Sequence, residues 1–86
     1  MTSPAVSAMD IVSIGEPMVE FNQTGESGGR LYLQGFGGDS SNFAIAAARQ
    51  GARVAYVSAL GDDPYGAMLR ALWDREGVNH DAVPTD

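Results

Sequence analysis

The segment Arg53-Val54-Ala55-Tyr56-Val57-Ser58-Ala59-Leu60 has four hydrophobic residues in a row at its centre and no polar alternation there. A strand with one wet face alternates between apolar and polar residues. One that does not alternate is covered on both faces, as in a parallel sheet flanked by helices. Parallel neighbours need a crossover of a dozen or more residues, usually helical. The flanking sequence supplies such crossovers. Ile11-Val12-Ser13-Ile14, closed by Gly15, has the β-branched content of a partner strand. Residues 42–50, Asn-Phe-Ala-Ile-Ala-Ala-Ala-Arg-Gln, predict a helix of high alanine propensity. Asp39, Ser40 and Ser41 are its candidate N-caps, and Gly51 stands at the expected C′ position. After the hydrophobic strand, Asp63 as N-cap and Pro64 at N1 start a second helix that Gly77 ends. Met68, Leu69, Leu72 and Trp73 form its apolar stripe. A further strand is expected to begin at Asp81-Ala82-Val83. Strand, helix, strand, helix, strand is the order of an α/β parallel sheet.

One stretch departs from that alternation. Pro17-Met18-Val19-Glu20-Phe21-Asn22 follows the first strand directly, and a polar run with Gly25, Gly28 and Gly29 marks a turn. Arg30-Leu31-Tyr32-Leu33-Gln34 then alternates, with Leu31 and Leu33 on one face and Tyr32 and Gln34 on the other. These residues predict a β-hairpin over about 17–36, inserted between the first strand and the first helix.

Composition narrows the partners. The 86 residues allow one small domain or part of a larger one. Eleven acidic residues against five basic ones give a net charge of −6, which disfavours nucleic acid and anionic membranes as partners. Every basic residue is an arginine, so no P-loop lysine and no Schiff-base amine can be supplied. The absence of cysteine removes disulfides, thiolate nucleophiles and cysteine-based zinc sites. His80, the one histidine, is expected to be a surface residue without a role. Residues 1–8 read as a disordered lead-in with neither the basic nor the apolar region of a signal peptide, so a cytoplasmic location is expected.

The stretch with most chemical content is Gly35-Phe36-Gly37-Gly38-Asp39-Ser40-Ser41-Asn42. Two roles are open for it. It can be an ordinary glycine turn opening a capped helix. It can also be a ligand mouth, where missing side chains let a ligand reach main-chain amides at the positive end of a helix dipole. Asp39 and Asn42 suit sugar hydroxyls, since a carboxylate accepts and an amide both donates and accepts. An acidic residue there disfavours a bare phosphate. The stretch is no dinucleotide fingerprint, because Ser40 stands where the third glycine belongs. Glu16 and Glu20 are assigned to solvated positions, although Glu16 follows the C-terminal end of a strand, where α/β sites form. Asp62 and Asp63 are assigned to turn and cap.

Taken in order, Gly15-Glu16-Pro17-Met18-Val19-Glu20-Phe21, Gly37-Gly38-Asp39-Ser40-Ser41-Asn42, Ala48-Arg49-Gln50-Gly51, Tyr56-Val57-Ser58-Ala59-Leu60-Gly61-Asp62-Asp63-Pro64-Tyr65-Gly66 and Glu76-Gly77-Val78 resemble the N-terminal part of a PfkB-type carbohydrate kinase. The resemblance spans about residues 10–83. The opening Gly-Glu-Pro-Met-Val-Glu-Phe and the Gly-Gly-Asp-x-x-Asn form are most similar to 2-keto-3-deoxygluconate kinases, with fructokinases next. The fold implied is the ribokinase-like three-layer α/β/α sheet, of which residues 9–86 would be the N-terminal portion and residues 17–36 a lid over the sugar. The resemblance implies that Gly37 and Gly38 line the sugar pocket, that Asn42 hydrogen-bonds sugar hydroxyls, and that Asp39 marks the ketodeoxygluconate branch. Ribokinases place an Asn and an Asp on the sugar where this chain has Met18 and Glu20. Glu20 is therefore a weaker candidate, and ribose a poorer substrate.

The same resemblance implies a small sugar or sugar acid as partner, ATP and Mg2+ as cofactors of a full-length enzyme, and a homodimer contact through the lid strands. Family members are several times longer, and their catalytic Asp, anion hole and nucleotide site lie in later motifs. No catalytic, cofactor or metal-binding residue is therefore assigned within these 86 residues, and the chain alone is expected to be inactive. The alternatives are a fructokinase or another PfkB-type kinase, and a non-catalytic sugar-binding or dimerising fragment.

Overall fold

The computed structural model describes residues 8–86, so residues 1–7 of the expected lead-in lie outside the described residues. Two short sheets and two α-helices form in chain order: β1 (Ile11–Ile14), β2 (Met18–Gln23), β3 (Tyr32–Gly37), α1 (Asp39–Arg49), β4 (Val54–Val57) and α2 (Pro64–Glu76), with a 3-10 turn at Ser27–Gly29 between β2 and β3. β1 and β4 pair in parallel, with Ile11 opposite Val54 and Ile14 opposite Val57. β2 and β3 form the antiparallel hairpin, with Met18 opposite Gly37 and Gln23 opposite Tyr32. The α/β class is therefore present.

Local chemistry explains the boundaries of α2. The Asp63 carboxylate accepts from the Gly66 amide at 2.8 Å, Pro64 occupies the first turn, and Gly77 ends the helix at φ +74°. α1 differs from its predicted span. It begins at Asp39, three residues early, and its N-cap is Gly38, which has no side chain to cap with. The serines that look like caps are used elsewhere, as described below.

The core is a single cluster on one face of the β1–β4 sheet. Ala44 of α1, Leu69 and Trp73 of α2 and Val54 and Tyr56 of β4 pack together with Leu60, Val78 and Val83. The Trp73 and Tyr56 rings lie 5.0 Å apart, tilted at 48°. Burying an aromatic side chain of this size stabilises the fold by roughly 3 kcal/mol. β4 is buried at Val54, Ala55 and Tyr56, in keeping with its lack of alternation. On the face of β1 away from the helices, Val12 and Ile14 are exposed, Ile14 to 73%. The described chain thus supplies the sheet and one helical layer.

Residues 81–83 do not form the expected strand. They make a turn in which the Asp81 amide donates to Asn79 Oδ1 at 2.9 Å. The parallel contacts fall on either side, as isolated bridges from Asn79 to Ala55 and from Thr85 to Leu60. His80 is also not the idle surface residue expected. Its Nε2 lies 2.6 Å from Asp74 Oδ1 and its Nδ1 3.2 Å from an Arg70 guanidinium nitrogen. Arginine only donates, so Nδ1 accepts and the Nε2–H donates to Asp74. Arg70 also donates to the Val83 carbonyl at 2.6 Å and to Thr85 Oγ1 at 3.1 Å, holding the end of the chain against α2.

Two further ion pairs join the elements. Arg49 pairs bidentately with Glu76, tying the ends of α1 and α2. Arg53 pairs bidentately with Asp10 and adds its backbone N–H at 2.8 Å, joining the starts of β1 and β4. No helix among the described residues is long and apolar enough to cross a membrane.

Candidate functional site

β3 runs into α1 through Gly37 and Gly38, and the hairpin folds back so that β2 lies beside this turn. Gly38 adopts φ +95°, a conformation that only glycine takes cheaply. A methyl group there would sit 2.6 Å from the Glu16 carbonyl oxygen and 3.1 Å from the Met18 amide. Main chain meets main chain at that point, so only glycine fits. Gly37 is different. The space its side chain would occupy is taken by the carboxylate of Glu20, the near neighbour of Gly35 across the hairpin. The structure therefore brings Glu20 onto the glycine pair and leaves its carboxylate on the open face of the hairpin.

Asp39 and Asn42 stand at the first and fourth positions of α1, one turn apart. The Asn42 amide closes the first helical hydrogen bond, to the Gly38 carbonyl at 2.9 Å. The side chains of Asp39 and Asn42 are exposed and make no hydrogen bond to another described residue. The N-cap contributes no side-chain hydrogen bond, so the first amides of the helix are also uncapped. Asn42 borders a groove of about 360 Å³ shared with Phe36, Ile45, Arg49, Leu72 and Glu76. Phe36 points to the face of β3 opposite Gly37, so this groove and the Glu20 face lie on two sides of the strand. No hydrogen bond joins Asn42 to Glu20.

The residues that hold this turn in place escaped the sequence reading. Ser13 Oγ donates to the Ser40 carbonyl at 2.9 Å, Ser40 Oγ and the Tyr56 hydroxyl lie 2.6 Å apart, and the Trp73 indole N–H donates to Ser41 Oγ at 2.9 Å. Each bond links the first turn of α1 to a different element. Gly15 belongs to the same fit, because a methyl there would meet the Ser40 side chain. The signal was the serine pair itself, and its local appearance as a cap hid its long-range use.

Chemically, the turn offers a carboxylate acceptor in Glu20, further exposed carboxylates in Glu16 and Asp39, an amide in Asn42, and uncapped main-chain donors. That mixture suits a polyhydroxylated ligand, whose hydroxyls donate to carboxylates and accept from amides. It does not suit a polyphosphate, which needs converging cations. Nor does any group of three or more His, Cys, Asp or Glu side chains among the described residues form a metal-binding cluster. These residues do not fit ATP or Mg2+.

Comparison with known proteins identifies the family to which the chain is similar. Residues 8–86 match the family model described as pfkB family carbohydrate kinase. The 2-dehydro-3-deoxygluconokinase of Dickeya dadantii is 38% identical over 82 residues, covering 91% of this chain and 25% of that protein. The fructokinase of Solanum tuberosum is 39% identical over 87 residues, covering 95% of this chain and 27% of that protein. Among solved structures, Halothermothrix orenii fructokinase superposes with a TM-score of 0.81 at 35% identity, over 91% of this chain and 30% of that one. The chain thus spans about a quarter of the length of the curated relatives it matches.

Proposed function

The chain belongs to the pfkB family of carbohydrate kinases, and from that membership we propose that it is the sugar-binding part of a kinase acting on 2-keto-3-deoxygluconate. The observation that carries the proposal is the Glu20 carboxylate lying on Gly37 at the turn that opens α1. Glu20 accepts from one sugar hydroxyl and Gly37 and Gly38 let the ring approach the main chain, while Asn42, on the groove side of β3, serves a part of the ligand that reaches past the turn. Orienting a hydroxyl in this way is the part of phosphoryl transfer that proximity governs. The proton acceptor and the groups that stabilise the transferring phosphoryl group, together with ATP and Mg2+, belong to residues other than those described.

A second substrate is favoured by one observation. Glu16, Glu20 and Asp39 are all acidic at or beside the turn, and a neutral ketose such as fructose meets no like charge there. A sugar acid must turn its carboxylate away from them.

Calorimetric titration of the chain with 2-keto-3-deoxygluconate, fructose and ribose separates these readings. The expected result is binding of one of the first two, weaker binding of ribose, and loss of binding in Glu20→Ala. In a coupled assay with ATP and Mg2+, the chain alone is expected to show no turnover. Failure to bind any of the three sugars overturns the proposal, and a preference for fructose replaces the first substrate with the second.

A further inference from the structure

Beyond the packing of Val19 and Phe36 against the core, the hairpin meets α2 at two further places. Phe21 of β2 meets Tyr65, in the first turn of α2, edge to face, with ring centroids 6.3 Å apart at 87°. Gln34 of β3 donates from Nε2 to the sulfur of Met68, one turn further along α2, at 3.6 Å. Phe21 and Gln34 are direct cross-strand partners and share one face of the hairpin. Glu20 and Gly35 are the next pair along and share the other face.

These contacts act on opposite sides of one thin element. The strand that carries Phe21 down onto α2 carries Glu20 up onto the open face, one residue away. A two-stranded hairpin is marginally stable by itself and needs packing to hold its angle. Both rings are about half exposed, at 57% for Phe21 and 48% for Tyr65, so the contact can open without disturbing the core. We propose that Phe21–Tyr65 and Gln34–Met68 form a clasp that fixes the hairpin over the glycine turn, making Phe21 and Tyr65 positioning residues for the ligand contact of Glu20. The ligand part of this inference rests on the sugar-binding role proposed above, and the clasp itself does not.

Amide hydrogen exchange and calorimetry on Tyr65→Ala, Phe21→Ala and Tyr65→Phe test it. The alanine variants are expected to speed exchange in Met18–Gln23 and Tyr32–Gly37 by about five-fold, the scale of one aromatic pair. Exchange in Val54–Val57 stays unchanged, and Tyr65→Phe, which keeps the ring, restores the wild-type rate. Sugar affinity falls in the alanine variants and recovers in Tyr65→Phe. Unchanged hairpin exchange in the alanine variants, or a Tyr65→Phe as fast as Tyr65→Ala, overturns the clasp. Faster exchange with unaltered sugar affinity overturns the positioning role. If the wild-type chain binds no sugar, the proposed function fails while the exchange data still decide the clasp.

Discussion

The indole N–H of Trp73 donates to Ser41 Oγ at 2.9 Å, and both residues are almost wholly buried. This bond crosses from α2 to the first turn of α1 and satisfies the one polar group that Trp73 brings into the core. Ser41→Ala leaves a buried donor without a partner, which costs about 1–3 kcal/mol. Urea denaturation followed by Trp73 fluorescence should show a lower midpoint with an unchanged slope. A midpoint equal to wild type would mean that the bond contributes nothing net.

Gly38 and Gly37 are adjacent, yet substitution should separate them. Gly38→Ala forces an alanine to φ +95° and drives its methyl group into the main chain of β2 and the residues before it. Neither can move cheaply, so a loss of about 2 kcal/mol or more is expected. Thermal or urea unfolding measures it.

Gly37→Ala meets only the carboxylate of Glu20, the far end of a flexible side chain. Stability should change little, because Gly37 carries no positive φ. Sugar affinity should fall by about ten-fold or more, because the displaced carboxylate no longer sits on the turn. Calorimetry on the same preparation distinguishes the two losses. A Gly37→Ala that binds sugar as well as wild type removes Glu20 from the site.

Asp10 is held to about 2, from an ordinary value of 3.8, by the hydrogen bonds of the Arg53 side chain and backbone. A depressed carboxyl stabilises the fold above its unfolded value and loses that contribution as protons arrive. Stability from this pair is therefore complete above about pH 4 and fades between there and about pH 2. Asp10→Asn should lower the urea midpoint at neutral pH by a small amount, as exposed pairs do, and flatten the acid limb. Glu76, lowered by Arg49, adds to the same limb, so that limb should shrink without vanishing.

The elements differ in how legible they were in the sequence, and the reason is the range of the signals. α2 is bounded by Asp63, Pro64 and Gly77, each of which acts on its own backbone, so its limits could be read locally. The hairpin likewise follows from alternation and a glycine-marked turn. α1 was misplaced at its start because Ser40 and Ser41 have the composition of caps but bond to Tyr56 and Trp73, distant in sequence. Residues 81–83 carry apolar character that serves burial of Val83 rather than strand pairing. His80 could not be understood without α2, since Asp74 and Arg70 reach it from different turns of that helix. Of the site, Gly37, Gly38, Asp39 and Asn42 were visible as a glycine-opened helix start. The approach of Glu20 to Gly37 depends on hairpin register, which only the folded chain displays.

The three bonds at the start of α1 make the two sides of the glycine turn unequal. Ser13, Tyr56 and Trp73 anchor the helix side to β1, β4 and α2, and it cannot widen without orphaning buried polar groups. The hairpin side rests on Val19 and Phe36 at the edge of the core, an exposed ring pair and a weak sulfur contact. The turn is a vice with one fixed jaw. Under the sugar-binding role proposed above, adapting it to a larger or smaller sugar is a matter of the hairpin's exposed residues, such as Glu20 and Phe21, while α1 stays fixed.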